Sequence, residues 1–132
     1  MREILFRAKQ HYTKEWLYGA VVKDGDECLI TVGEPDGLYK QKMTVVEEST
    51  VGQFTGFTDK NGNKIFEGDI LYIEDDDGNK YVTQVWYERG GLVIDVKGCD
   101  YDYTVIGWLE YYYSMEVIGN IHDNPELLKE QK

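Results

Sequence analysis

The stretch from Val51 to Ile73, Val-Gly-Gln-Phe-Thr-Gly-Phe-Thr-Asp-Lys-Asn-Gly-Asn-Lys-Ile-Phe-Glu-Gly-Asp-Ile-Leu-Tyr-Ile, constrains the fold of this chain more than any other. Short apolar and aromatic runs alternate there with clusters of Gly, Asn and Asp. That punctuation leaves no room for a helix of several turns and reads as short strands joined by tight turns. Asn61-Gly62 is the strongest hairpin signal, because both residue types accept left-handed backbone angles. Glu67-Gly68-Asp69 then redirects the chain into Ile70–Ile73. Phe54, Phe57, Ile65, Phe66 and Ile70 are the candidate core side chains, and the segment carries no catalytic constellation.

The rest of the chain follows the same pattern. Arg2–Arg7 reads as a first strand, with Ile4 and Phe6 on one face and Leu5 on the other, and residues 8–15 as a polar loop. Further strands are expected at Trp16–Val22, Cys28–Val32, Lys42–Val46, Tyr81–Tyr87, Leu92–Val96 and Glu116–Ile121. Asp24-Gly25-Asp26 and Gly33–Gly37 supply turns between them. Residues 105–115 stay open: Trp108, Tyr112 and Met115 have helical spacing, whereas Tyr111-Tyr112-Tyr113 is good strand composition. Asp123-Asn124-Pro125 looks like the cap of one short terminal helix. The expected fold is mostly β. It has an N-terminal β subdomain over residues 1–48, then a small curled-sheet or barrel-like β unit with short helical segments over 50–128.

Charge bounds the partners. The 132 residues carry a formal net charge of −11. Residues 1–66 hold 9 basic and 10 acidic side chains, net −1; residues 67–132 hold 5 and 15, net −10. That field repels phosphate backbones, so ordinary nucleic-acid binding is disfavoured; it suits solubility or a basic host or phage protein. No run of eighteen apolar residues occurs, which excludes a conventional transmembrane helix, and Met1–Arg7 does not read as a signal peptide. Cytoplasmic localisation is expected, with Cys28 and Cys99 as free thiols in a reducing compartment.

Candidate chemistry is thin. Asp75-Asp76-Asp77-Gly78-Asn79 clusters carboxylates before a Gly, but an EF-hand loop starting at Asp75 would need its closing Glu where Trp86 stands. An acidic hairpin tip is the better reading. Asp95, Asp100 and Asp102 invite a metal-dependent hydrolase reading, since Asp100 and Asp102 share one face of a strand, yet nothing positions a substrate. His11 stands in a polar stretch, and His122 beside Asp123 is placed to brace the C-terminal turn. Cys28 and Cys99 have no cationic neighbour in sequence to activate them. The chain has no phosphate-binding Gly-rich loop, nucleophile elbow or zinc-protease motif. The expectation is therefore no enzyme, and no catalytic, cofactor or metal residue.

Aromatic side chains are abundant: eleven Tyr, four Phe and three Trp. Tyr12, Trp16, Tyr18, Tyr39, Tyr101, Tyr103, Trp108 and the Tyr111–Tyr113 triplet exceed what one small core readily hides. Such residues anchor protein interfaces, or stack bases of a single strand when a positive groove accompanies them. Lys40 and Lys42 are the local cations available for the second role. The charge ranks self-association or a protein partner first.

The sequence resembles the YopX family of phage and prophage proteins. The likeness is weak through Arg2–Arg7. It is strong through Thr50–Gly56, Asp59-Lys60-Asn61-Gly62, Ile65-Phe66-Glu67-Gly68-Asp69-Ile70 and Glu116–Leu128. It implies phage or prophage origin and a predominantly β architecture, and supplies no catalytic or binding residue. The expected function is that of a non-enzymatic accessory protein acting through protein contacts or as a homo-oligomer. A single-stranded nucleic-acid module is the alternative.

Overall fold

The computed structural model describes residues 3–32, 42–74, 77–88, 91–94, 104–105 and 114–129. Lys40, Asp75, Asp76, Asp95, Cys99, Asp100, Asp102, Trp108 and the Tyr111–Tyr113 triplet lie outside them. The chain divides into two compact units, Met1–Phe54 and Thr55–Lys132. Nearly every described element is a strand.

In the first unit, β1 (Phe6–Lys9) pairs antiparallel with β2 (Trp16–Gly19), setting Arg7 opposite Tyr18 and Lys9 opposite Trp16. On its other side β1 meets the start of β6 (Gly52–Thr58). The first strand thus lies later than expected and takes Ala8 and Lys9 from the expected loop. Side-chain chemistry explains the shift: Ala8 is fully buried, while Arg7 and Lys9 set their cationic heads 4.7 and 5.5 Å from the Trp16 ring centroid. Alternation survives because the charged residues cover an aromatic ring instead of facing water.

The expected strand Trp16–Val22 is two strands, β2 and β3 (Val21–Asp24), parted at Ala20. There the Ala20 carbonyl accepts the Thr31 N–H of β4 (Glu27–Val32) at 2.8 Å. β3, β4 and β5 (Lys42–Val45) form a three-stranded sheet. The end of β5 returns to β1: His11 N donates to Val45 O at 3.0 Å and Glu47 N to Lys9 O at 2.9 Å. A 3-10 turn at Glu48–Thr50 follows, and the Thr50 hydroxyl accepts Lys9 N–H at 2.8 Å while donating to Glu47 O at 2.6 Å. Ala8, Cys28, Ile30 and Val46 make the core here, with Leu17, Val21 and Val51 packed on it.

In the second unit, the rest of β6 leads through the Asp59–Asn63 turn to β7 (Lys64–Phe66), whose Ile65 carbonyl accepts the Thr55 hydroxyl at 2.8 Å. β8 (Asp69–Glu74), β9 (Lys80–Glu88), β10 (Gly91–Ile94), β11 (Thr104–Val105) and β12 (Ser114–Asn120) form one five-stranded sheet in the order β11-β10-β9-β8-β12. The expected mostly β fold stands and a closed barrel does not: among the described residues the sheet stays open, with β11 and β12 at its edges. The free edge of β12 is taken by the turn, Lys60 N donating to Met115 O at 3.0 Å and Val117 N to Asp59 Oδ2 at 2.9 Å. A closing strand has no ladder left there. Ile65, Leu71, Ile73, Val85 and Met115 form the core, with Phe57, Tyr81 and Val117 against it. Phe54, Phe66 and Ile70 are buried as expected. The short helix at Glu126–Lys129 follows Pro125.

Candidate interaction surface

The exposed face of β2 and β3 follows from simple alternation. Leu17 and Val21 pack on the core, so Tyr18, Ala20 and Val22 turn outward, Tyr18 at 51% exposure and Val22 at 44%. The neighbouring strands continue the band. Leu29 lies opposite both Val22 and Val45, and Thr31 lies opposite Met43, which is 51% exposed. Toward the β3–β4 hairpin the same face turns acidic, with Asp24, Asp26 and Glu27 exposed. Of the six exposed large apolar side chains among the described residues, Ile4, Tyr12, Tyr18, Val22 and Met43 belong to the first unit. That unit holds 7 basic and 9 acidic side chains, so it carries only −2 of the −11. Exposed apolar area with little net charge is what a protein contact requires.

The first unit also carries ion pairs. Lys23 meets Glu48 at 2.6 Å, which raises the lysine's pKa. Lys14 meets Glu47 at 3.0 Å, and its hydrogen bond holds the Glu47 carboxyl below the usual carboxylate range. Burial pushes the Cys28 thiol up, and the nearby Glu48 charge adds to that, so this sulfur is a packing group and a poor nucleophile.

The sequence candidates are scattered. His11 is exposed and meets Tyr12 edge-on at 4.9 Å between ring centroids. His122 is half-buried in the C-terminal turn, where the Asn120 Oδ1 accepts the backbone N–H of His122 at 3.0 Å and of Asp123 at 2.9 Å. Asp77 is exposed at its hairpin. Among the described residues no group of three His, Cys, Asp or Glu side chains is placed to hold a metal ion, and no helix is long and apolar enough to cross a membrane. Lys42 opens β5.

Two organising residues escaped sequence reasoning. Asp59, 6% exposed, accepts Asn61 N and Asn63 N on Oδ1, each at 2.9 Å, and Val117 N and Asn63 Nδ2 on Oδ2 at 2.9 and 3.3 Å. Burial would raise its pKa, but the hydrogen bonds from Val117, Asn63 and Asn61 together outweigh it and lower the pKa. The Asp-x-Asn-x-Asn spacing was the available signal, since a carboxylate that bonds amides two and four residues on makes its own turn. Asn124, whose Oδ1 accepts Asn120 N at 3.2 Å, is the other. Asn61-Gly62 also differs from the expected hairpin: Gly62 has φ +84°, and Lys14 is the only non-glycine residue with positive φ among those described. The carboxylate of Asp59, not a pair of left-handed residues, sets this turn.

The YopX protein family model matches residues 5–129. The SPbeta prophage-derived uncharacterized protein YopX of Bacillus subtilis (strain 168) is 39% identical over 71 residues, 52% of this chain and 52% of that protein. The aligned stretch thus spans about half the length of that curated relative. The crystal structure of protein YopX from Bacillus subtilis superposes with a TM-score of 0.65 at 23% identity, covering 93% of this chain and 96% of that one. The crystal structure of a protein from Enterococcus faecalis gives a TM-score of 0.55 at 25% identity, covering 97% and 99%. Two segments named above as resembling the family, Asp59–Gly62 and Glu116–Leu128, contain side chains that tie turns together.

Proposed function

Because this chain belongs to the YopX family, we propose that it is a prophage accessory protein that works in the bacterial cytoplasm by protein contact and not by catalysis. The prophage origin of the Bacillus subtilis relative supports the first part. The observation that carries the second is the outward band of Tyr18, Val22 and Met43 on a unit of small net charge. Stiff side chains such as Tyr18 and Val22, held on a strand, lose little conformational freedom when covered, so their burial contributes most of its free energy to binding. A photo-crosslinking residue at position 22, expressed in the host cell, is expected to give discrete heavier adducts that the same residue at position 126 does not. Equal or diffuse labelling at both positions would overturn the reading.

One observation favours a second reading. Lys9, Trp16 and the exposed Tyr18 share one face of the β1–β2 pair, a small cationic and aromatic patch of the kind that stacks single-stranded nucleic acid. Anisotropy of labelled oligo-dT and oligo-rU at low ionic strength tests it, since electrostatic binding is strongest there. Absence of binding under those conditions removes this reading and leaves the first intact.

A further inference from the structure

We infer that Asn61 is a site of spontaneous deamidation, that the Asp59 turn holds the reaction off while it is closed, and that conversion to isoaspartate releases the edge of β12. Asn61 is the only asparagine of the chain that precedes a glycine. Both residues are exposed. Gly62 presents no side chain to hinder attack, and even a Cβ placed there would meet nothing within 4 Å. Sterically the pair is open. The reaction is intramolecular: a base removes the Gly62 N–H proton, the nitrogen forms a bond to Asn61 Cγ, and the Cγ–Nδ2 bond breaks with loss of ammonia. Water then opens the cyclic imide at either carbonyl. Breaking the new N–Cγ bond gives aspartate; breaking the original peptide bond gives isoaspartate, whose main chain runs through Cβ. Water enters, ammonia leaves, and nothing is oxidised or reduced.

Hydrogen bonds, not burial, oppose the first step. The Gly62 N–H donates to Asp59 O at 3.0 Å, so the proton that must leave is already held. On either side, Asn61 N and Asn63 N both donate to Asp59 Oδ1 at 2.9 Å, which ties down the peptide group that must turn toward Cγ. A carboxylate bonded on both sides of Gly62 also opposes the negative charge that its nitrogen must take. The turn therefore has to open before the bond can form, and such local opening needs no global unfolding. The product acts back on the turn. In isoaspartate the main chain between the Asn61 and Asn63 amides gains a carbon, so the two no longer converge on one oxygen. The other oxygen of the same carboxylate accepts Val117 N at 2.9 Å, and Lys60 N donates to Met115 O at 3.0 Å. Change at an exposed asparagine thus reaches the edge of β12. It runs one way, because the ammonia is lost.

Peptide-mapping mass spectrometry of the full chain, incubated near neutral pH, tests this. Replacement of the Asn61 amide by acid is expected to be slower in the folded wild type than in guanidinium chloride. The factor should match the exchange protection of the Gly62 N–H, since one opening gates both. Asp59→Asn is expected to speed the reaction roughly tenfold or more. Val85→Ala weakens the core of the same unit but leaves the hydrogen bonds of the turn in place, and should not change the rate. Circular dichroism melts show that each variant is folded, and the wild-type comparison decides without either. In aged wild type the isoaspartate form, identified with an isoaspartate-specific methyltransferase, should exchange the Val117 amide faster than fresh chain does. Equal rates in folded and unfolded chain, or a factor that departs from the Gly62 protection by more than about tenfold, overturns the inference. So does equal acceleration by both variants, or Val117 exchange that isoaspartate leaves unchanged.

Discussion

The Asp59 carboxylate accepts the backbone N–H of Val117 at 2.9 Å, across 58 residues of sequence. One oxygen thus does for the edge of β12 what a neighbouring strand would do, while the other organises the Asn61–Asn63 turn. Local turn chemistry and long-range sheet closure are joined in one buried side chain. Asp59→Asn keeps the shape but presents an amide to donors on at least one side, so a buried N–H loses its partner. The expected cost is about 2–4 kcal/mol, read from denaturant unfolding.

The same residue sets an acid limb to stability. Its folded pKa is lowered, so the unfolded chain, with an ordinary aspartate near about 3.9, takes up the proton first. Stability from this carboxylate is therefore full above that pH and is lost as pH falls through the folded value. The gap in melting temperature between wild type and Asp59→Asn should be constant near neutrality and shrink below about pH 4. A gap independent of pH down to the acid transition would contradict the assignment.

Gly19 is required for a different reason. A Cβ there would stand 1.9 Å from the Thr31 carbonyl oxygen, a backbone atom that cannot swing aside. Gly19→Ala must part β2 from β4 and is expected to cost about 3 kcal/mol. Gly25, with φ +61° and open space around it, makes the comparison: Gly25→Ala bears only the left-handed backbone cost of about 1–2 kcal/mol. Thermal melts of the two variants should rank in that order.

Thr50 is a hinge of hydrogen bonding in the first unit, accepting from Lys9 N and donating to Glu47 O. Thr50→Val keeps the volume and leaves both groups without the hydroxyl. A loss of about 1–3 kcal/mol is expected, together with faster amide exchange at Lys9. Exchange at Lys9 equal to that of wild type would show that another group takes over.

Strand positions such as Gly52–Thr58 and Lys64–Phe66 were legible because apolar alternation and flanking turn residues point to the same structure. Lys9 was not, because a lysine in a short polar run looks solvated until Trp16 is found opposite it. The conformation at Asn61 was misjudged because Asp59 overrides the intrinsic preference of the Asn-Gly pair, and the partner that buries Asp59 lies at Val117. The exposed apolar band was hidden for a related reason. Tyr18, Val22 and Met43 are ordinary strand residues in sequence, and pairing registers with exposure show that they face away from the core of the first unit. The surplus of aromatic residues hinted at such a face without placing it.

The C-terminal turn allows scaffold to be separated from function. Asn120 Oδ1 holds two backbone amides, Nδ2 reaches Asp123 Oδ2 at 3.1 Å, and Asn124 Oδ1 takes the Asn120 amide in return. If this network serves only to fix the chain after β12, Asn120→Ala should cost roughly 1–2 kcal/mol and expose the backbone of His122 and Asp123 to faster exchange. It should leave adduct formation at position 22 unchanged, since the hydrogen bonds named here join residues of the second unit only. Loss of adducts in a variant that remains folded would instead assign the Gly119–Leu128 segment a direct part in the protein contact.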